Sequence, residues 1–178
     1  MQSQWNVRAA RPADAARIAE IYNEGIRDGH AKLDMRLINS EQVLALMCAP
    51  EHHILAAEWG ETVLGWASLI PEREAPPGVE EASVYVSRGD RFQGLGRILM
   101  EALIRLAEER GYYKIIGRIF SSNEASRRLC RSFGFREVGV LEKHGRVGDR
   151  WVDIVLVERL IPAGLGQPAA TEPSRHAG

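Results

Sequence analysis

Two periodicities of hydrophobic residues alternate along the chain, and together they predict an α/β fold. Ile18, Ile21, Tyr22 and Ile26 recur at the spacing of one helix face, as an amphipathic helix requires. A broader apolar stripe over residues 95–106 predicts a second, longer helix. Helix-forming and strand-forming segments thus share one chain, which is the pattern of a sheet covered by helices.

Short runs of β-branched and aromatic residues, bounded by glycine, proline or polar residues, are typical of strands. Such runs occupy residues 5–11, 52–59, 62–70, 81–87, 113–120, 135–145 and 150–161. Two more helices are predicted, one capped by Asn39 or Ser40 and one that begins at the cap Asn123 and ends at Gly134. The order is strand, two helices, three strands, helix, strand, helix and two strands, which favours a mixed sheet.

The apolar content suits a single domain. With 178 residues, 45% of them hydrophobic, the chain can fill one core but hardly two. We place the domain at residues 4–161. Residues 162–178 contain almost no large apolar side chain, so we expect a disordered carboxy-terminal tail.

Charge and cysteine content exclude several classes of protein. A net charge of −1 gives no general attraction to nucleic acid or to a membrane surface, so we expect neither as a partner. Cys48 and Cys130 lie far apart and show no zinc-site or disulfide spacing, so we expect no metal and a reducing, cytoplasmic location. No apolar run has the length of a membrane span.

The start of the long helix carries the most informative motif, Arg91-Phe92-Gln93-Gly94-Leu95-Gly96. A helix whose first turn contains two glycines presents several unpaired backbone N–H groups at the positive end of its dipole, and such a place suits a phosphate. A dinucleotide fingerprint would need a third glycine at Leu99, and a Walker loop would need Gly-Lys-Ser/Thr. By itself the motif also fits ordinary turn glycines.

The motif resembles the R/Q-x-x-G-x-G/A signature of the GNAT superfamily of N-acetyltransferases. Downstream, residues 121–139 (SSNEASRRLCRSFGFREVG) look like the second cofactor segment of that family. The resemblance covers nearly the whole predicted domain, and its nearest likeness is to the phosphinothricin and arsinothricin N-acetyltransferases. It implies the GNAT acyl-CoA N-acyltransferase fold, a mixed but mostly antiparallel seven-stranded sheet flanked by about four helices.

The resemblance implies acetyl-CoA as the acetyl donor. Its pyrophosphate would lie on the backbone from Gln93 to Arg97, that is on Gln93, Gly94, Leu95, Gly96 and Arg97, with Arg91 adding charge. Its pantetheine arm would lie along the Val84-Tyr85-Val86 strand like an added strand. Asn123 and Ser126 would meet the arm from the other side, although Asn123 is equally well explained as a helix cap.

The chemistry needs a base for the acceptor ammonium, a donor for the developing oxyanion and a proton for the departing thiolate. We assign the base to Glu81, acting through a water, since the resembled enzymes carry a glutamate there. A strand amide near Val84 or Val86 would hold the oxyanion. Cys130 stands where the family has Tyr or His, and it is either a weak acid or inert packing.

The acceptor implied by the resemblance is a small amino-acid-like amine such as phosphinothricin, arsinothricin, methionine sulfone or methionine sulfoximine. The candidate binding residues are Leu33, Arg73, Tyr85, Arg118, Lys143 and Trp151. Trp151 and Asp153 share one strand face and would line the pocket or pack at a dimer interface, and packing is the better interpretation for Trp151. The relatives also suggest a homodimer.

Two alternatives to this function stay open on the sequence. One keeps the donor and takes a protein amino terminus or lysine as the acceptor. The other is an acyl-CoA sensor without catalysis, which the substitutions at Cys130 and Leu33 would favour.

Overall fold

A computed structural model describes residues 5–29 and 36–165 of the protein. Every predicted helix and strand has a counterpart there. In chain order the elements are β1 (Asn6–Ala9), α1 (Ala15–Arg27), α2 (Ser40–Cys48), β2 (His53–Trp59), β3 (Thr62–Pro71), β4 (Val79–Val86), α3 (Leu95–Glu109), β5 (Lys114–Phe120), α4 (Glu124–Ser132), β6 (Arg136–Val147) and β7 (Arg150–Leu160).

The seven strands form one sheet in the order β1-β2-β3-β4-β5-β7-β6. All neighbouring strands are antiparallel except β4 and β5, which are parallel. A parallel pair needs a crossover between its strands, and α3 supplies it. The predicted mixed, mostly antiparallel sheet with four helices is therefore confirmed.

Helices cover both faces of the sheet because their apolar stripes need burial. On one face Leu99 and Leu103 of α3 are fully buried in a cluster with Leu69 and Ile115 of the sheet. On the other face α1 and α2 form a second cluster with the sheet, in which Trp66 is buried. Burial of a Leu or Ile side chain is worth roughly 1.5–3 kcal/mol, so these two clusters stabilise the domain.

The centre of the sheet is split. β4 and β5 pair from Val79 to Glu81, opposite Lys114 to Ile116, and beyond that point, among the described strands, β4 pairs with β3 alone and β5 with β7 alone. Within the described residues, the β5-facing main-chain groups of residues 82–86 thus have no neighbouring strand. The fold thus creates an opening between two central strands.

The described chain continues past the predicted domain boundary at residue 161. Pro162–Gly164 form a short 3-10 helix, and Gly164 is buried against the backbone of Tyr112. A Cβ at Gly164 would lie 2.3 Å from the Tyr112 carbonyl oxygen, so only glycine fits there. The disorder that we predict beyond residue 165 falls outside the described residues.

Candidate active site

The opening between β4 and β5 is the entrance to a cleft of about 850 Å³. Its walls come from both faces of the sheet: Ile21 and Gly25 of α1 on one side, Met100 of α3 and Leu129 of α4 on the other. The cleft therefore passes through the sheet. Predicted site residues that line it are Glu81, Val84, Tyr85, Val86, Arg91, Gly94, Gly96, Arg97, Arg118, Asn123, Ser126 and Cys130.

The amino terminus of α3 forms one end of the cleft. Gly94 caps the helix with φ of 96°, in the left-handed region that favours glycine. The Arg97 and Ile98 amides donate to the Gly94 carbonyl oxygen. In the described part of the chain, no protein acceptor is found for the amides of Leu95 and Gly96, so these N–H groups at the positive end of the α3 dipole are unpaired, as an anion site would require.

Two predicted phosphate ligands have other contacts. The Arg91 guanidinium donates to Asp28 at 2.6 Å and to the Val86 carbonyl oxygen at 3.2 Å. Despite an opposing effect of desolvation, hydrogen bonds from Arg88 and Arg91 hold the pKa of Asp28 below its ordinary value. Arg91 thus ties the loop before α3 to the end of α1. The Arg97 guanidinium lies 4.9 Å from the centre of the Phe133 ring, at the cleft wall.

Gln93 and Leu95 are not among the residues that line the cleft. The Gln93 side chain donates to the Gly89 carbonyl oxygen at 3.2 Å, and the Leu95 side chain is 1% exposed in the core. Only their backbone could meet a ligand, and the backbone is the part of these residues for which the sequence predicts a contact with the pyrophosphate.

The second cofactor segment begins α4. Asn123 is its N-cap, and its Oδ1 accepts a hydrogen bond from the Ser126 amide at 3.1 Å. Both residues line the cleft opposite the free edge of β4. Asn123 therefore has the capping role predicted for it and also lies where a ligand would pass.

Glu81 lies where β4 and β5 separate, and its carboxylate is 2.9 Å from the Arg118 guanidinium. Arg118 also donates to Glu72 at 2.8 Å. The Arg118 hydrogen bond lowers the pKa of Glu72, which therefore stays ionised. One arginine is thus shared by two carboxylates near the point where β4 and β5 separate.

Glu80 points to the opposite face, as strand alternation predicts. Its side chain is 2% exposed, and among the described residues its Oε2 has no hydrogen-bond partner. Burial, with a smaller effect of the Glu51 charge, raises the pKa of Glu80 to about 7. Neighbouring glutamates therefore have different environments, and only Glu81 reaches the cleft.

Cys130 lines the cleft from α4 but is more buried than the sequence indicates, at 7% exposure. Burial and, to a smaller degree, the Glu137 charge raise the pKa of its thiol to about 11. The thiol is therefore fully protonated near neutral pH.

The predicted acceptor residues are only partly brought together. Tyr85 lines the cleft and stacks on Trp66 with ring centres 4.6 Å apart, and burial raises the pKa of its phenol far above the ordinary value. Arg73, Lys143 and Trp151 are exposed and do not line the cleft. Leu33 lies outside the described residues.

His144 and Phe120 line the cleft, although the sequence did not single them out. Phe120 ends β5, whereas His144 lies in an irregular part of β6, where alternation does not predict which way a side chain points. The nearby Asp153, which the sequence did mark, is the one signal that could have led to His144.

The described residues contain neither a cluster of metal-binding side chains nor a helix that could span a membrane. Among residues 5–29 and 36–165, no group of three or more His, Cys, Asp or Glu side chains is placed to bind a metal ion. The helices in the same ranges are all too short or too polar to cross a bilayer.

Comparison with known proteins identifies the family, since residues 15–135 match the Acetyltransferase (GNAT) family. The chain belongs to the GNAT acetyltransferases. It is 32% identical to the L-methionine sulfoximine/L-methionine sulfone acetyltransferase of Salmonella typhimurium over 85% of this chain and 92% of that protein. It is also 32% identical to a phosphinothricin N-acetyltransferase of Alcaligenes faecalis, over 89% of this chain and 83% of that one.

The fold is shared with solved structures of this GNAT family. The structure of yncA from Salmonella typhimurium with its cofactor acetyl-CoA superimposes with a TM-score of 0.83, at 30% identity, over 89% of this chain and 95% of that one. The resemblance drawn from two short motifs is thereby confirmed, and the protein is an N-acetyltransferase. Its individual site residues remain predictions.

Proposed function

We propose that this GNAT enzyme transfers the acetyl group of acetyl-CoA to the amino group of a small amino-acid-like acceptor. The observation that carries the proposal is a cleft through the sheet, with unpaired helix amides at one end and a carboxylate at the other. The names of the two relatives, one acting on methionine sulfoximine and sulfone and one on phosphinothricin, support this acceptor class. Arsinothricin belongs to the same class.

The residues of the cleft fit coenzyme A. A pyrophosphate would accept from the unpaired amides of Leu95 and Gly96, where a Cβ at Gly96 would project beside Leu129 and Val86. A pantetheine arm can pair with the free edge of residues 82–86, because its own amide groups can form hydrogen bonds with the main chain of β4, as an added strand would. Bound there, acetyl-CoA supplies an activated acyl group, and a β4 amide near Val84 or Val86 would donate to its carbonyl oxygen.

Glu81 is the proposed general base. The ammonium of an amino acid must lose a proton before its nitrogen can attack, and a carboxylate in the cleft can take this proton directly or through a water. The Arg118 guanidinium lies 2.9 Å from one carboxylate oxygen of Glu81 and orients this carboxylate. Because Arg118 is also bound to Glu72, the second Glu81 oxygen is left to face the acceptor. The net charge of this group of three is −1, which favours a cationic amine.

Cys130 is a poor candidate for the acid that protonates the departing thiolate. Its pKa of about 11 exceeds that of an ordinary thiol, about 8.5, so proton transfer to the coenzyme A thiolate would be uphill. We assign this proton to solvent and regard Cys130 as part of the cleft wall.

We propose that the chain forms a homodimer. Val138, Val140 and Trp151 are each about half exposed, and all three lie on the edge strand β6 and its neighbour β7. An edge strand with exposed apolar residues is a site for association, and a second copy of the chain would bury it. A cytoplasmic location stays a prediction.

The test is thiol release from acetyl-CoA with a panel of methionine sulfone, methionine sulfoximine, phosphinothricin, a peptide amino terminus and a lysine peptide. Turnover of the first three supports the proposal. Turnover of the peptides alone, or tight coenzyme binding with no acceptor, would contradict it.

Glu81→Gln should lower kcat by about 10²–10⁴-fold, as expected for loss of a general base, with little change in the Kd of acetyl-CoA. Glu80→Gln is the matched control, since it alters the next residue on the opposite face, and its kcat should stay close to that of the wild type. Equal activity of the wild type and Glu81→Gln across pH would refute the assignment of the base.

A further inference from the structure

Strand β6 departs from regular pairing at residues 142–144. Leu141 pairs with Ile154 and Gly145 pairs with Val152, so three residues of β6 oppose Asp153 alone. A bulge of this kind breaks the alternation of side chains and redirects one of them, and bulges are frequent beside active sites. We call residues 142–144 the β6 bulge.

The β6 bulge is held in place by Asp153. The Lys143 amide donates to Asp153 Oδ1 at 2.7 Å, and Lys143 has φ of 48°, in the left-handed region that a non-glycine residue enters only at a cost of about 1–2 kcal/mol. The Asp153 carbonyl oxygen accepts from the Ser121 amide at 2.9 Å, just after β5. The bulge is thus fixed to the end of β5 that borders the cleft.

His144 is the residue that the β6 bulge presents to the cleft. Its side chain is exposed, and within residues 5–29 and 36–165 its imidazole makes no hydrogen bond or ion pair. Phe120 and Ile154, which pair with each other in the sheet next to the bulge, also line the cleft and bring no polar side chain. Within the described residues, both ring nitrogens are therefore available to a ligand.

An amino-acid acceptor brings a carboxylate with its amine, and the cleft has few groups free to meet it. Arg118 is shared by Glu72 and Glu81, and Arg91 is bound to Asp28. Arg97 lies over Phe133, and the exposed Arg128 of α4 also lines the cleft; both are on the wall formed by α3 and α4, beside the turn proposed for the pyrophosphate. On the β6 side of the cleft, His144 is a donor for which no hydrogen bond or ion pair is found among the described residues.

We propose that His144 determines acceptor specificity by donating a hydrogen bond to the acceptor carboxylate, and that Asp153 positions it by holding the β6 bulge. The inference rests on the proposed function, since it requires an amino-acid acceptor. It assigns the cleft a preference for acceptors with a free α-carboxylate over amines that lack one.

The experiment compares two acceptors, L-methionine sulfone and its carboxamide, in which the carboxylate is replaced by an uncharged amide. His144→Ala should raise KM for methionine sulfone by about tenfold or more, the effect of losing a hydrogen bond to a charged group, while KM for the carboxamide stays the same. The kcat and the KM of acetyl-CoA should change little. His144→Gln, which keeps a neutral donor, should restore part of the KM.

Asp153→Asn should raise KM for methionine sulfone in the same selective way, because it weakens the bond that holds the bulge. Equal losses with both acceptors would mean that His144 has only a structural role, and no loss with either would mean that it has none; both outcomes overturn the inference. If the wild type acetylates no amino acid of the panel, the proposed function itself fails, and this is seen before any variant is made.

Discussion

Glu80 and Glu81 show how two identical neighbouring residues acquire different chemistry. Strand alternation sends Glu81 into the cleft beside Arg118 and Glu80 into the layer beneath α3. Near Glu80, Tyr112 has its pKa raised by burial and by the Glu80 charge, and its hydroxyl is 2.7 Å from His53 Nε2. The sheet therefore separates a solvent-accessible carboxylate from a buried one.

The buried Glu80 predicts a pH dependence of stability. Its folded pKa of about 7 lies above its ordinary value of 4.5, so its contribution to folding is fully present below pH 4.5 and is lost as pH rises to about 7. Each tenfold difference in proton affinity is worth about 1.4 kcal/mol, so the loss is roughly 3 kcal/mol. Urea unfolding of Glu80→Gln should show this loss abolished, with the variant more stable than the wild type at pH 8 but not at pH 4.5.

Other groups around Glu80 provide the control for that measurement. Glu51 raises the pKa of Glu80, and Tyr112 and His53 lie on the same side. Glu51→Gln should move the wild-type transition to lower pH without abolishing it. Identical pH profiles of wild type and Glu80→Gln would show that Glu80 is not the responsible group.

At the scale of elements, the amino terminus of α3 combines two glycines with distinct roles. Gly94 has φ of 96°, and a Cβ there would meet only Trp5 at 4.0 Å. Glycine is therefore needed at this position for its backbone conformation and not for lack of space. Gly96 is helical, and a Cβ would make ordinary contacts of 3.6 Å with Leu129 and 3.9 Å with Val86. The fold therefore does not need glycine at position 96; if the pyrophosphate binds here, glycine is needed so that the ligand can approach the backbone.

These roles predict opposite effects on stability and the same effect on binding. Gly94→Ala should destabilise the fold by about 1–2 kcal/mol, the cost of a left-handed L residue. Gly96→Ala should be neutral or stabilise it by up to about 1 kcal/mol, since alanine favours a helix. Both should weaken acetyl-CoA binding by about tenfold or more in calorimetry, because the added Cβ keeps the phosphates from approaching the backbone amides closely enough for good hydrogen bonds. Unchanged affinity in both variants would remove the pyrophosphate from this turn.

At the same scale, patterns predicted the helices and strands well but not their irregularities. The caps Asn39 and Asn123 follow from short-range chemistry, since each accepts a hydrogen bond from an amide three residues ahead. The β6 bulge does not, because it depends on Asp153 ten residues away from Lys143. His144 was missed for this reason.

At the scale of the whole molecule, two equally exposed tryptophans lie near opposite edges of the sheet. Trp59 and Trp151 are each 58% exposed, yet Trp59 ends β2 near one edge of the sheet, whereas Trp151 lies in β7, beside the other edge strand. Arg146 lies 5.5 Å above the Trp151 ring. Apart from this contact, more than half of Trp151 is exposed within the described residues, and the dimer proposal gives that surface a partner.

The proposed homodimer can be tested with a matched pair of variants. Sedimentation equilibrium of the wild type should give about twice the chain mass, and Trp151→Glu should shift it towards the monomer, because a buried unpaired charge strongly disfavours association. Trp59→Glu, equally exposed, should leave the mass unchanged. A monomeric wild type at micromolar concentrations would contradict the proposal.

The order of the elements, the helix caps and the glycine turn before α3 were determined by the sequence itself, because each depends on residues a few positions apart. The pairing of Glu81 with Arg118, the burial of Glu80 and Cys130, and the arrival of His144 at the cleft were decided only by the tertiary structure. These features join residues far apart in the chain, and their proton affinities depend on burial and neighbouring charges, which no local pattern records.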